Sequence, residues 1–264
     1  MSELPTNPLS GAVERITQLQ QAQIRTGELV ITPFATFHFP YLRSPKFLDS
    51  ASKDAINQLD IPGLTVQAAK QAIVDLGIKQ NVDFTTVIPE DEERWKIIPS
   101  LGIGGSAFFN EIRLYFDPEH PNVVESLRTW KAREVPHELN HVARYQANKI
   151  GSSLLDIMVT EGLATYYEEQ WGGEYLATPW GNALTPEQTV VEWQKAQSEL
   201  GKSDYDYDEW FFGRNAAHPQ WTGYTLGRMI VSEYFKKHPK EKMKKVVRKN
   251  SREILKKSGF NPTS

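Results

Sequence analysis

Apolar residues in the first half of the chain fall in short runs, and in the second half they recur at helical spacing. Residues 28–39 (ELVITPFATFHF) are rich in β-branched and aromatic types and read as a strand, with Pro33 implying an edge or a break. A second strand is expected over 82–88 (VDFTTVI). Two more are expected at 106–109 and 112–116, the first led in by Gly102-Ile103-Gly104-Gly105. Helical patterns cover 11–26 and 64–76.

From Asn122 onward nearly everything reads as helix, and Asp117-Pro118-Glu119-His120-Pro121 marks the change. Thr185-Pro186-Glu187-Gln188 is a helix start, with a threonine cap, proline at the first position and glutamine at the third. Strands first and helices afterwards predict an α+β fold, not an alternating α/β one. The expected organisation is an N-terminal lobe over 1–150 with a small mixed sheet and a mostly helical C-terminal lobe over 151–264. No internal repeat or low-complexity segment is present.

Composition narrows the chemistry. The 264 residues contain no cysteine, which excludes a disulfide framework, a thiolate nucleophile, Cys-ligated zinc and iron–sulfur clusters. A metal must then be held by histidine, carboxylate or carbonyl, and there are only six histidines. The net charge of −3 is an average: residues 236–257 carry eleven basic and two acidic groups, leaving a net of −12 elsewhere. The basic segment reads as amphipathic helix, with Met243, Val246, Val247, Ile254 and Leu255 inward and lysines solvated. An anionic partner at this segment is the sharper alternative, but no nucleic-acid motif accompanies it, so no nucleic acid is expected. The first twenty residues lack a secretory pattern and no run is long enough for a membrane span, so the cytoplasm is the expected location.

The chemistry is concentrated in His137-Glu138-Leu139-Asn140-His141, an H-E-x-x-H pattern. Histidines at i and i+4 stand on one helix face and can aim ring nitrogens at one metal ion, while the adjacent Glu138 can act on a water as general base. Leu139, Val142 and Ala143 would turn to the core. With this composition the pattern arises by chance roughly 0.02 times per chain. Pro136 either starts this helix or kinks a longer one from Asn122. Glu161, in Thr160-Glu161-Gly162-Leu163-Ala164, follows His141 after nineteen residues, enough to end one helix and bring a second, 152–170, alongside. It would be a third ligand, leaving one position open, as catalytic zinc requires.

H-E-x-x-H followed by E-G-L-A resembles the gluzincin class of zinc metallopeptidases. More closely, P-H-E-L-N-H-V-A-R, T-E-G-L-A-T-Y-Y-E-E and G-Y-T-L-G-R-M-I-V-S-E-Y resemble a bacterial family of predicted zinc-dependent proteases, over roughly residues 100 to 260. The resemblance implies a zincin-like α+β fold, bound Zn²⁺, ligands His137, His141 and Glu161, and Glu138 as catalytic base. It also implies a hydrogen-bond donor to the oxyanion, for which Tyr224 is the first candidate and His218 the second. Arg228, on the same helical face as Tyr224, is a candidate for binding a substrate carboxylate. Where relatives such as thermolysin place an acidic residue four positions after the glutamate ligand, this chain has Thr165, so Glu168 or Glu169 would have to substitute.

The expected substrate is a peptide or protein laid along a sheet edge, with Gly104-Gly105-Ser106-Ala107-Phe108 as the candidate edge and Gly105, Ser106 and Ala107 as its contacts. The other reading of that stretch is a glycine-rich loop before a core strand. Glu168, Glu169 and Glu174 are available to anchor a free amine, which leaves aminopeptidase and endopeptidase both open. Two further classes stay open: a zinc-binding module without proteolysis, and a helical interaction protein that binds no metal.

Overall fold

The computed structural model describes residues 35–38, 61–87, 89, 97–129, 133–171 and 177–262. Contacts divide the chain into two compact units, Met1–Val74 with Lys79–Glu138, and Asp75–Ile78 with Leu139–Ser264.

The first unit holds a four-stranded mixed sheet. Its strands are β1 (Ala35–His38), β2 (Val82–Val87), β3 (Ile103–Phe108) and β4 (Glu111–Phe116), in the order β1-β2-β4-β3. β1 and β2 are parallel, as are β2 and β4, while β3 closes a tight antiparallel hairpin with β4 that pairs Phe108 with Glu111. The parallel β1–β2 step needs a crossover, which helix α1 (Ile61–Leu76) supplies. Ala68, Ala69, Ala72, Ile73 and Leu76 form its buried stripe. On β4, Ile112, Leu114 and Phe116 are buried while Glu111 and Arg113 are exposed; the alternation ends at Tyr115, which is also buried.

The sequence places a strand over 106–109 after a glycine lead-in, but the strand begins at Ile103 and takes in Gly104 and Gly105. At Gly105 a neighbouring side chain occupies the space that a Cβ would need. The helix expected over 11–26, and most of the strand over 28–39, lie outside the described residues.

The short helix α2 (Val123–Arg128) ends at Thr129, and α3 (Glu134–Gln146) is separate from it. Pro136 therefore neither opens α3 nor kinks a longer helix. It lies in the first turn, where backbone N–H groups have no intrahelical acceptor and a proline costs little.

The second unit is helical. α4 (Leu154–Glu169) is followed by a 3₁₀ turn (Trp180–Asn182), α5 (Pro186–Gln197), α6 (Tyr207–Phe212), α7 (Thr222–Lys237), α8 (Met243–Val246) and α9 (Ser251–Ser258). α5 starts with the expected capping box, Thr185 Oγ1 accepting from Gln188 N and the Gln188 side chain accepting from Thr185 N. α4 is the central helix: Leu155, Met158, Val159 and Leu163 meet Trp210, Phe211, Leu226, Ile230 and Val231 in one core. Val246 and Ile254 of the basic segment join the same core, so that segment is amphipathic helix with an exposed lysine face. No helix among the described residues is long and apolar enough to cross a membrane.

Candidate metal centre

Helix α3 is buried on every face between Glu134 and Ala143, not amphipathic as its pattern suggests. Val135, Leu139, Val142 and Ala143 are fully enclosed, and His137, Glu138 and His141 are only 8%, 4% and 9% exposed. A helix interior accepts polar side chains when they hold something in common. One ligand atom from each of His137, Glu138 and His141 lies within 4.8 Å of the others, an arrangement that can hold a metal ion.

Glu161 reaches the same histidine from α4. Its Oε2 lies 3.4 Å from His141 Nε2, with both side chains mostly buried. That separation is long for a charge-assisted hydrogen bond, which favours about 2.7–2.9 Å. Ligands about 2.0–2.1 Å from one zinc ion and set at the tetrahedral angle stand about 3.4 Å apart. The His141–Glu161 separation is therefore one that two ligands of a single zinc ion would show.

Three local devices place these groups. Ser153 caps α4, its hydroxyl accepting from Asp156 N, and so sets the phase of the helix that carries Glu161. Arg144, one turn beyond His141 and fully buried, ties the end of α3 to α4 by donating from Nε to Thr160 Oγ1 at 3.1 Å. Its other nitrogens donate to the carbonyls of Lys149, Val247 and Lys249 and to Ser251 Oγ. Burial pulls its pKa from 12.5 down to about 10, with the nearby Asp156 acting against the shift. Third, Gly162 lies against the backbone of Gly227 and Arg228 on α7, so the helix bearing Glu161 packs without an intervening side chain.

The proposed edge also meets the site. A Cβ on Gly105 would lie 2.5 Å from Glu138 Oε1 and 2.7 Å from its Cγ, so any side chain here would have to displace this carboxylate. β3 is an edge strand among the described residues, and Gly105, Ser106 and Ala107 are partly exposed along it. Ser106 Oγ sits 3.4 Å from Tyr115 Oη.

The remaining candidates fall in different places. Tyr224 packs edge-on against Phe211 and hydrogen-bonds to Tyr207. Desolvation raises the Tyr207 hydroxyl above its ordinary range, and the charges of Glu161 and Tyr205 add to this. Tyr205 is pushed up to about 12 by desolvation, then by Asp156 and Glu161. The Glu161 carboxylate thus acts on two tyrosines that sequence reasoning missed.

His218 is held elsewhere, with Nδ1 2.6 Å from Glu192 Oε2 and its ring stacked on Trp210 at 3.7 Å. Arg228 donates from Nε to Glu169 Oε2 at 2.8 Å, and Glu169 Oε1 accepts from Thr178 and Asn182. Glu169 is thereby committed to this network, while Glu168 is buried, 1% exposed. Glu174 lies outside the described residues.

An α+β chain with a buried H-E-x-x-H helix is compatible with the zincin fold, and its His-Glu-His group can bind a metal ion. Residues 51–256 match the family model described as "Predicted Zn-dependent protease (DUF2268)", and the chain belongs to that family. No curated protein matched the chain.

Proposed function

We propose that the protein is a zinc metallopeptidase that hydrolyses peptide bonds, with His137, His141 and Glu161 as metal ligands and Glu138 as general base. The observation that carries the reading is the 3.4 Å separation of His141 Nε2 and Glu161 Oε2. Zn²⁺ held there would supply a Lewis acid that acidifies a water and polarises the scissile carbonyl.

The chain's own groups do the rest. The edge of β3 holds an extended peptide backbone beside Glu138. Glu138 takes a proton from the attacking water on one carboxylate oxygen and passes it to the leaving amine nitrogen. Its burial favours that exchange by holding the carboxylate away from bulk solvent. The hydrogen-bonded Tyr207–Tyr224 pair supplies a donor to the carbonyl oxygen as negative charge develops there.

Metal analysis of purified protein, paired with cleavage of a mixed peptide pool by wild type and Glu138→Gln, tests this. The expected result is about one zinc per chain in both proteins and cleavage by wild type alone. Less than roughly 0.2 zinc per chain removes the metal site. Stoichiometric zinc with no cleavage by either protein favours a zinc-binding module without proteolysis.

A further inference from the structure

We propose that the exposed basic face formed by the end of α7, α8 and α9 docks the protein on a bilayer surface carrying anionic phospholipid headgroups. This face lies wholly within the helical unit and is independent of the peptidase reading.

The carboxylates of the segment are already engaged. Residues 233–257 contain three. Glu233 is held by Lys236, Glu241 by Tyr234 and Lys249, and Glu253 by Lys249 and Lys257. Arg248 donates to the backbone carbonyls of Leu76, Gly77 and Lys244. That leaves Lys237 at the end of α7, Lys240 and Lys242 in the link to α8, and Lys244 and Lys245 on α8. Arg252 and Lys256 on α9 complete the set. All seven are exposed, and none makes an ion pair or side-chain hydrogen bond with a described residue.

The elements that carry these charges are packed together. Val246 and Ile254 share one core with Val231 and Tyr234 of α7, and Lys237 Nζ lies against Gly259 at the end of α9. Folding alone does not ask for so much uncompensated charge. Lysine in the last turn of a helix offsets its dipole, which accounts for Lys256. Arg252 is in the first turn of α9, where the dipole disfavours a cation. It also stands four residues before Lys256, a like-charge spacing that destabilises a helix. A cation set against both effects, without a carboxylate, fits a use outside the fold.

Three features select lipid over other anions. Six of the seven groups are lysines, whose flexible stems and compact charge suit a fluid headgroup layer, whereas arginine's planar fork suits a phosphate of fixed geometry. Residues 236–257 contain no Phe, Tyr or Trp on which a base could stack. The buried apolar side chains of the segment turn inward, so its surface lacks the apolar centre of a protein–protein interface, from which lysine is depleted. A cluster of roughly four to eight basic groups on amphipathic helix is the size that holds a protein to anionic lipid. With no apolar group inserted, the attachment is reversible and weakens with salt.

Sedimentation of the full chain with vesicles of phosphatidylcholine, or of phosphatidylcholine mixed with phosphatidylserine, tests this. The expected result is binding to the mixed vesicles alone, released by raised salt. Each basic side chain near such a surface contributes roughly fivefold in affinity. Lys240→Gln/Lys244→Gln/Lys245→Gln should therefore bind about 100-fold more weakly, and Arg252→Gln/Lys256→Gln about 25-fold. Lys244→Arg/Lys245→Arg, which keeps the charge, should bind as wild type does. Thermal unfolding of the Arg252→Gln/Lys256→Gln protein should stay within about 2 °C of wild type, since the two dipole effects it removes oppose each other. Equal sedimentation with both vesicle types, sedimentation with neither, or unchanged binding by either charge-removing variant overturns the proposal. So does tighter binding to a duplex DNA fragment than to the mixed vesicles at the same salt, which makes the partner a nucleic acid. Self-association that is lost in the variants, without vesicle binding, overturns it in favour of a second copy of the chain.

Discussion

Gly162 and Gly227 meet backbone against backbone. A Cβ on Gly227 would overlap the Met158 carbonyl, and one on Gly162 would overlap Gly227 itself. The glycine after Glu161 is thus a packing requirement: it sets how closely α4 and α7 approach, and Glu161 is carried on the same turn.

Gly162→Ala and Gly227→Ala should each lower stability by about 2–3 kcal/mol, since neither backbone segment can yield as a side chain would. Thermal unfolding should shift down by roughly 5–10 °C. Zinc occupancy should fall with it as Glu161 is pushed from His141, and a variant that keeps both wild-type Tm and zinc content would contradict this account.

Glu161→Gln keeps the size of the side chain but removes the charge of a proposed metal ligand. The expected loss of zinc affinity exceeds the 10–100-fold typical of outer-shell changes. Glu169→Gln is the control: Glu169 is bound to Arg228, Thr178 and Asn182, so the variant should lose stability while zinc titration stays close to wild type.

Gly105→Ala places a methyl group against Glu138 without touching any proposed ligand. Zinc content should be unchanged. Peptide cleavage should drop by about 100-fold, the scale expected when a reacting group is displaced by an ångström. Preserved cleavage would show that β3 and Glu138 separate more readily than their contact implies.

Glu253 on α9 lies between Lys249 and Lys257, and hydrogen bonds to both hold its carboxyl down at about 2, below the usual 4.5. A depressed folded-state pKa means that the stabilisation is complete above the unfolded value and is lost as pH falls through the folded one. The residue is more than one-third exposed, so the contribution is under about 1 kcal/mol. Glu253→Gln should be slightly less stable than wild type at pH 7, with the difference vanishing between about pH 4.5 and 2 in denaturant titrations.

What the sequence reveals follows the range of the interaction behind it. His137, Glu138 and His141 are legible because one metal imposes a spacing of four within one helix. The start of α5 is legible because Thr185, Pro186 and Gln188 act within a single turn. Gly105 admits two readings, a strand edge or a glycine-rich loop, and what lies against it in the strand is a carboxylate thirty-three positions later. Tyr205 and Tyr207 were missed on similar grounds, since the charges acting on them come from Asp156 and Glu161, far away in sequence. Patterning reports which face is buried and says nothing of which distant group comes to lie against it.

Arg144 has a consequence for when the site is completed. Three of its acceptors, the Val247 and Lys249 carbonyls and Ser251 Oγ, lie 103, 105 and 107 residues further along the chain. A nascent chain that has only just produced the H-E-x-x-H segment has a guanidinium at the end of that helix and nothing yet made to satisfy it. Burying it early would cost about 1–3 kcal/mol for each missing hydrogen bond. Assembly of the metal helix therefore waits for residues 247–251, so the candidate metal centre comes together only after the helices that follow it have been made.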